Sequence, residues 1–248
     1  MGKDDIITKL KLALWRINVN RDSRMRKETH PYSAFVPKGA VKLILGSIPP
    51  WRFTVDDNPD VNKLKKLQPG DIDFAYGSRN NRFWKILSRV FNAGELDSAG
   101  KIREMLSENK LAVSDVVRRC RRVPGRSALD QSLKDIEFNH SIGEILRDNP
   151  SIGTILFTSA FAERIFYRHF PFKTEKRGVC KVFTMPDDGR KIKTAVLYSP
   201  SNMALRGIRQ AKEFKMRNSQ NGKCSADEIR TEQYRKLLLD GTDSQCII

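Results

Sequence analysis

The sequence contains no long hydrophobic run: none of its apolar stretches reaches the ~18 residues that a membrane-spanning helix needs. Histidine is scarce, with only His30, His140 and His169. The four cysteines (Cys120, Cys180, Cys224 and Cys246) include no closely spaced pair, which argues against zinc or iron–sulfur ligation. The expectation is no metal, no cofactor, and reduced thiols in a cytoplasmic protein, nucleoid-associated if bacterial. The leading MGKDDIITKL lacks the apolar centre of a secretory signal. Ile6 stands where a myristoylation signal needs Ser or Thr, and Cys246 lies one place too late for prenylation. Internal repeats and low-complexity tracts are absent. Acidic residues are in short supply, 29 against 46 Lys plus Arg, which leaves a net charge of +17 over 248 residues. Such a surplus speaks of partners and solubility rather than fold. Nucleic acid is the first candidate, because cations on phosphates release counterions. An anionic membrane surface is the second, and plain surface charge is the bland alternative. At 39% hydrophobic and 30% charged, the chain can bury a core.

Four short apolar runs have the character of buried parallel strands: residues 41–45, 111–113, 152–157 and 194–198. Helical patterns lie between them, at 81–91, 98–108, 142–148 and 160–169. Strand alternating with helix implies α/β architecture, a parallel sheet covered on both faces. Residues 180–185 and 191–198 flank Asp187-Asp188-Gly189, a turn signal that makes this piece a hairpin feeding the last strand. Ile6, Ile7, Leu10, Leu14 and Ile17 recur at helical spacing. The expected division is an N-terminal helical extension (1–30), a main domain (31–217), and a linker with a charged C-terminal helix (218–248) anchored by Ile229, Leu237 and Leu238. Nothing suggests an oligomer seam, so a monomer is expected.

Ligands of open parallel sheets bind beyond the carboxyl ends of the strands. There the chain reads Gly46-Ser47-Ile48-Pro49-Pro50, then Ser114-Asp115, then Thr158-Ser159, then Ser199-Pro200-Ser201-Asn202. Each turn alone is explained by turn chemistry; together, at one edge, they point to a ligand held by close backbone approach. A further cluster, Asp73 to Trp84, sets Phe74 and Tyr76 beside Asn80, Asn81 and Arg82, which suits a nucleobase. Phe83 and Trp84 also fit the core face of a helix, and Asn81 fits a helix N-cap.

With these residues on view, the chain resembles the uracil-DNA glycosylase superfamily. The resemblance is carried by residues 43–49, by Phe74-Ala75-Tyr76-Gly77-Ser78, by Asn81-Arg82-Phe83-Trp84, and by Ser199-Pro200-Ser201-Asn202, with His30-Pro31 and Phe35-Val36-Pro37 upstream. The branch it is most similar to is the hypoxanthine-DNA (deoxyinosine) glycosylase type, which shares the Gly-Ser-x-Pro turn and the Asn-x-Phe-Trp motif. The resemblance implies a three-layer α/β/α domain around a central four-stranded parallel sheet. It implies a monofunctional, metal-free glycosylase that flips a deaminated base, hypoxanthine or uracil, out of DNA and hydrolyses its N-glycosidic bond in base excision repair.

By match, Asn81 is the catalytic residue. Gly46, Ser47 and Ile48 bind the base through the backbone, and Tyr76 or Phe74 stacks on it, with Tyr76 preferred. Ser199, Pro200, Ser201 and Asn202 grip phosphates, Arg206 and Arg209 extend that surface, and Met203, Ala204 or Leu205 wedges into the duplex. Two departures stand out. Ile48 occupies the place where most branches carry Asp, Asn or Glu, and no histidine precedes Pro200. They favour the alternative of a glycosylase-fold protein that binds DNA or nucleotides without hydrolysis. Arg206, Arg209, Lys212 and Lys215 are expected to form one basic helical stripe. Arg118, Arg119, Arg121, Arg122 and Arg126 read as a clamp on the DNA backbone. About six such contacts would give a log–log salt slope near −5.

Overall fold

The computed structural model describes residues 26–56, 66–122, 130–177, 180–220 and 224–239. The proposed helix over residues 6–17 and Arg126 lie outside them. Ten strands, seven α-helices and two short 3-10 helices are described. The four apolar runs form β2 (Lys42–Gly46), β4 (Leu111–Asp115), β7 (Thr154–Phe157) and β10 (Lys191–Val196). The first three are continuous or nearly so in burial, as strands covered on both faces must be, and β10 is buried at Ile192, Thr194 and Ala195. They pair in parallel in the order β4-β2-β7-β10. The sheet does not stop there. β9 (Cys180–Thr184) adds antiparallel to β10 through the predicted hairpin, and β8 (Thr174–Arg177) adds to β9. The expected four-stranded sheet is thus corrected to a six-stranded mixed sheet with a parallel half. β9 is the arm of that hairpin, whereas β8 was hidden by charge, since it reads Thr-Glu-Lys-Arg.

Alternate residues of β2 face opposite ways. Ile44 packs with Phe83, Leu87 and Ile102, whereas Leu43 and Leu45 pack with Ile142, Leu146 and Phe166. Helices α1 (Phe83–Phe91) and α2 (Ala99–Glu108) therefore cover one face, and α3 (Ser141–Asp148) and α4 (Ala160–His169) the other. Ser98 and Ser159 cap α2 and α4, their hydroxyls accepting from the N–H groups of Lys101 and Ala162.

A second sheet has no counterpart in the sequence reading. It is antiparallel, in the order β3 (Val55–Asp56), β1 (Arg26–Thr29), β5 (Val117–Arg122), β6 (Leu133–Phe138). Most of the arginine run is β5, so it is a strand rather than a loose clamp. Arg122 is buried; its Nε lies 3.1 Å from Glu28 Oε2, and its Nη2 donates to the Pro49 carbonyl at 3.0 Å. Arg118 donates to the His30 carbonyl at 2.8 Å. These two arginines brace the fold.

After β10 the chain forms α5 (Leu205–Gln210) and α6 (Lys212–Gln220), separated by Ala211 in an extended conformation. The basic stripe is therefore broken at Ala211, not carried on one helix. The C-terminal helix α7 (Ala226–Leu238) starts with a capping box between Ser225 and Glu228. Ile229, Tyr234, Leu237 and Leu238 are buried, the last three beside Phe83 and Leu87 of α1. Burial of such side chains stabilises by about 1.5–3 kcal/mol each. Gln233 accepts from the Tyr198 N–H at 2.6 Å and Tyr234 donates to the Tyr198 carbonyl at 3.0 Å, so α7 fixes the chain just past β10.

Candidate active site

Three sequence-distant turns converge at the carboxyl end of the parallel strands. The segment after β2, the loop before α1 and the turn after β10 all line one cavity of about 380 Å³. That size falls in the ~300–1,000 Å³ range of small-molecule sites. The loop and the turn are joined by backbone. Asn81 and Ser201 form an isolated bridge, and the Arg82 N–H donates to the Pro200 carbonyl at 3.2 Å. Within the turn, Ser199 Oγ accepts from the Ser201 N–H and Ser201 Oγ from the Met203 N–H, so both hydroxyls help to shape it.

Of the residues singled out in the sequence, Ser47, Ile48, Tyr76, Asn81, Ser199, Pro200, Ser201, Asn202 and Met203 line the cavity. Gly46, Phe74, Arg206 and Arg209 do not. Phe74 is in the core, edge-on to Phe35 and tilted against Trp84, with the Arg103 guanidinium 5.0 Å from its ring centre. Only Tyr76 of the two aromatics reaches the site, because its backbone is left-handed (φ 56°) and turns its side chain the other way. Tyr76 packs on Phe83 at 4.3 Å and donates its hydroxyl to the Ser114 carbonyl at 3.0 Å. Burial, with Asp115 nearby, raises the Tyr76 hydroxyl well above its ordinary pKa. Arg206 and Arg209 are exposed on α5, beside the cavity turn in sequence.

Asn81 precedes α1 and its Oδ1 accepts from the Phe83 N–H at 2.9 Å. The N-cap of α1 is Arg82, which makes no side-chain cap bond, so the expected N-cap role of Asn81 is corrected: its oxygen serves the first N–H of the helix from one position further out, which leaves the two Nδ2 hydrogens for a ligand. Gly46 acts from behind the lining. A Cβ there would overlap Asp115 Oδ1 and lie 2.7 Å from the Tyr76 hydroxyl, so glycine is what lets these side chains close over the strand end.

The sequence reading noticed Asp115 only as a strand-end residue, placed Arg122 in a clamp on the DNA backbone and did not put Phe53 or Asp130 in the site; all four line the cavity. Asp115 is buried, and its Oδ2 lies 2.8 Å from His30 Nε2. His30 is thus a buried partner of the site. Phe53 contributes a buried apolar wall. Burial pushes the Asp130 carboxyl above the usual carboxylate range, against a hydrogen bond from Ser47 and the attraction of Arg122. Met203 stands at the rim with 73% of its surface exposed, uncommon for so apolar a side chain. Among the described residues, no group of three His, Cys, Asp or Glu side chains is placed to hold a metal ion, and no helix is long and apolar enough to cross a membrane.

Asp71 fastens the loop that presents Tyr76 and Asn81. It accepts from Arg52 Nε (2.7 Å) and Nη2 (2.8 Å) and from the N–H groups of Gln68 (2.9 Å) and Arg79 (2.8 Å). Burial acts to raise its pKa, but these bonds outweigh it and hold the carboxyl down at about 2. A carboxyl depressed on folding stabilises fully above its unfolded pKa and loses that contribution as pH falls through the folded value. Melting temperatures of wild type and Asp71→Asn should therefore differ above about pH 4 and converge toward pH 2. A difference unchanged by acid would show that the carboxylate does not hold this loop.

No protein-family model matches the chain, and no curated protein matches it. Among solved structures it is similar to a solution NMR structure from Methanosarcina acetivorans, provisionally described as a uracil DNA glycosylase. Identity is 18%, the TM-score is 0.47, and the match covers 85% of this chain and 98% of that one.

Proposed function

We propose that the protein is a base-excising hydrolase of nucleic acid. More specifically, it is a monofunctional DNA glycosylase that flips a deaminated base, hypoxanthine or uracil, and hydrolyses its N-glycosidic bond. The observation that carries this reading is the convergence of the Ser47–Pro50, Tyr76–Asn81 and Ser199–Met203 stretches on one cavity. A chain of net charge +17 suits a polyanionic partner.

Breaking the C1′–nitrogen bond builds positive charge on the sugar and negative charge on the departing base. Donors aimed at the base and exclusion of bulk water lower that barrier. In this reading Tyr76 and Phe53 provide the walls for the extruded ring. The Asn81 Nδ2 group donates to the base or to the oxygen of the attacking water. The Ser199–Asn202 turn holds the flanking phosphates with hydroxyls and main-chain N–H groups. Met203 fills the gap left in the duplex, for which its exposure at the rim suits it. Flipping costs a few kcal/mol, least at a damaged pair.

The second reading, binding without hydrolysis, draws on Ile48, whose aliphatic side chain lines the cavity and can neither orient nor activate water. Single-turnover treatment of duplex and single-stranded oligonucleotides carrying uracil, hypoxanthine or xanthine, followed by alkali, separates the two. Strand cleavage at one base supports excision; retarded DNA with no abasic product supports binding alone.

DNA affinity should also report which cations face the phosphates. With Arg122 and Arg118 committed internally, about four contacts from residues such as Arg206, Arg209 and Lys215 would give a log–log salt slope near −3.6. Removing Arg206 and Arg209 together should flatten it by about 2, read from binding titrations across salt. A slope unmoved by the double variant would place the DNA elsewhere on the surface.

A further inference from the structure

We infer that Arg82, Asp227 and Arg230 form a phosphate-responsive relay beside the cavity. A backbone phosphate of DNA takes over the Arg82 guanidinium, and Asp227, released from Arg82, closes on Arg230 and ties α7 to the occupied site. This rests on the DNA-binding part of the reading above and holds with or without hydrolysis.

The three side chains are graded by depth. Arg82 follows Asn81 at the start of α1, and its N–H bond to the Pro200 carbonyl sets it beside the Ser199–Asn202 turn. Its side chain is 40% exposed, and Nη1 donates to Oδ2 of Asp227 in the first turn of α7, which is 23% exposed. Arg230 lies one turn further along α7 and is wholly buried. None of its three guanidinium nitrogens has a hydrogen-bond partner among the described residues. Its Nη2 stands 3.7 Å from Asp227 Oδ1, and that oxygen has no hydrogen-bond partner either. Glu228, the other carboxylate of the first turn, is committed to Ser225 in the capping box.

A guanidinium offers five N–H donors, and burying it without hydrogen bonds is costly. Here two guanidinium groups share one carboxylate, which leaves one positive charge over among the three side chains. Asp227 thus has two partners within reach and is engaged with the outer one. An anion arriving from solvent meets Arg82 first, and a phosphate can pair with it through two parallel N–H bonds. Asp227 then has only to close from 3.7 Å to the ~2.8 Å of a charge-assisted hydrogen bond. α7 also holds Tyr198 through Gln233 and Tyr234 and packs on α5 through Ala226, Ile229 and Ile208. The bond to Arg230 therefore stiffens the support of the turn that meets the phosphates.

The test measures binding of the full-length protein to a short DNA duplex across salt, together with the melting temperature of the free protein. Arg82→Gln should weaken binding by about tenfold and lower the log–log salt slope by about 0.9, the signature of one lost phosphate contact. Arg230→Met should weaken binding by about fivefold with the slope unchanged, because this residue touches no phosphate. Its free protein should melt no lower than wild type, since a buried charge without hydrogen bonds has been removed. The double variant should bind like Arg82→Gln alone, because without Arg82 the carboxylate is already free to close on Arg230. An Arg230→Met protein that melts lower or fails to fold would make Arg230 a packing residue and overturn the relay; Arg82→Gln, at the solvent end, reads the phosphate contact independently. A slope that falls with Arg230→Met, or losses that add in the double variant, would overturn it too. Inorganic phosphate is the control ligand. An Arg82-dependent rise in melting temperature with phosphate alone, at unchanged DNA affinity in both variants, would mark a site for a free anion and overturn the DNA assignment. If wild type binds no DNA at low salt, the nucleic-acid reading itself fails; if it binds and the variants match it, the relay alone fails.

Discussion

Replacing Asn81 by alanine should lower single-turnover excision by about 10²–10³-fold, the usual loss when one preorganised donor is removed from a developing negative charge. The same change removes the oxygen that accepts from the Phe83 N–H, so it also costs about 1 kcal/mol of stability. Asn81→Asp separates the two effects. A carboxylate oxygen still accepts from the Phe83 N–H, but no Nδ2 donor remains, so excision should fall about as far while stability recovers. Denaturation midpoints and excision rates measured on both variants check this. An aspartate variant with near-wild-type excision would show that Asn81 serves the helix alone.

The second large effect concerns stability. Arg122→Ala should destabilise the protein by about 3–5 kcal/mol, because it takes a buried cation away from the buried Glu28 carboxylate. The pair is nearly inaccessible, with side-chain exposures of 4% and 2%. The Pro49 carbonyl loses its donor at the same time, so the turn after β2 loosens. Urea unfolding measures the loss. A double variant, Glu28→Gln with Arg122→Leu, should recover much of it, since both buried charges are then removed together. The clamp reading of this arginine forecasts the opposite pattern, weaker DNA binding with unaltered stability.

The parallel half of the main sheet was legible because its strands are covered on both faces and so appear as plain apolar runs. The hairpin was legible from Asp187-Asp188-Gly189, where Gly189 does adopt a positive φ of 71°. The antiparallel sheet was not. Its strands are short and rich in charge, and the β5–β6 pairing shifts register twice, so the buried positions Val117, Cys120 and Arg122 do not alternate cleanly. Arginine in such a pattern looks like surface until its carboxylate is found, and here that carboxylate lies far back in β1.

Within the site, turn chemistry marked the right edge of the sheet, and the order of the motifs marked which turns meet. What it did not mark was direction. Phe74 and Tyr76 are near neighbours of similar chemistry, and the choice between core and cavity follows from a left-handed residue that no periodicity announces. Asp115 was visible as a strand end but not as a floor, because its partner His30 is 85 positions away. Long-range pairing of two polar side chains leaves no trace in local pattern.

β4 ends at Asp115 and β5 begins at Val117, so Val116 alone carries the chain from one sheet to the other. The acidic base of the recess and its guanidinium flank, Arg122, are therefore mounted on one unbroken ribbon. One wall of the recess consequently follows the angle between two β-layers, while the three turns supply the rest of its lining. Substitutions at that crossing should retune which molecules fit, even though Val116 itself meets none of them.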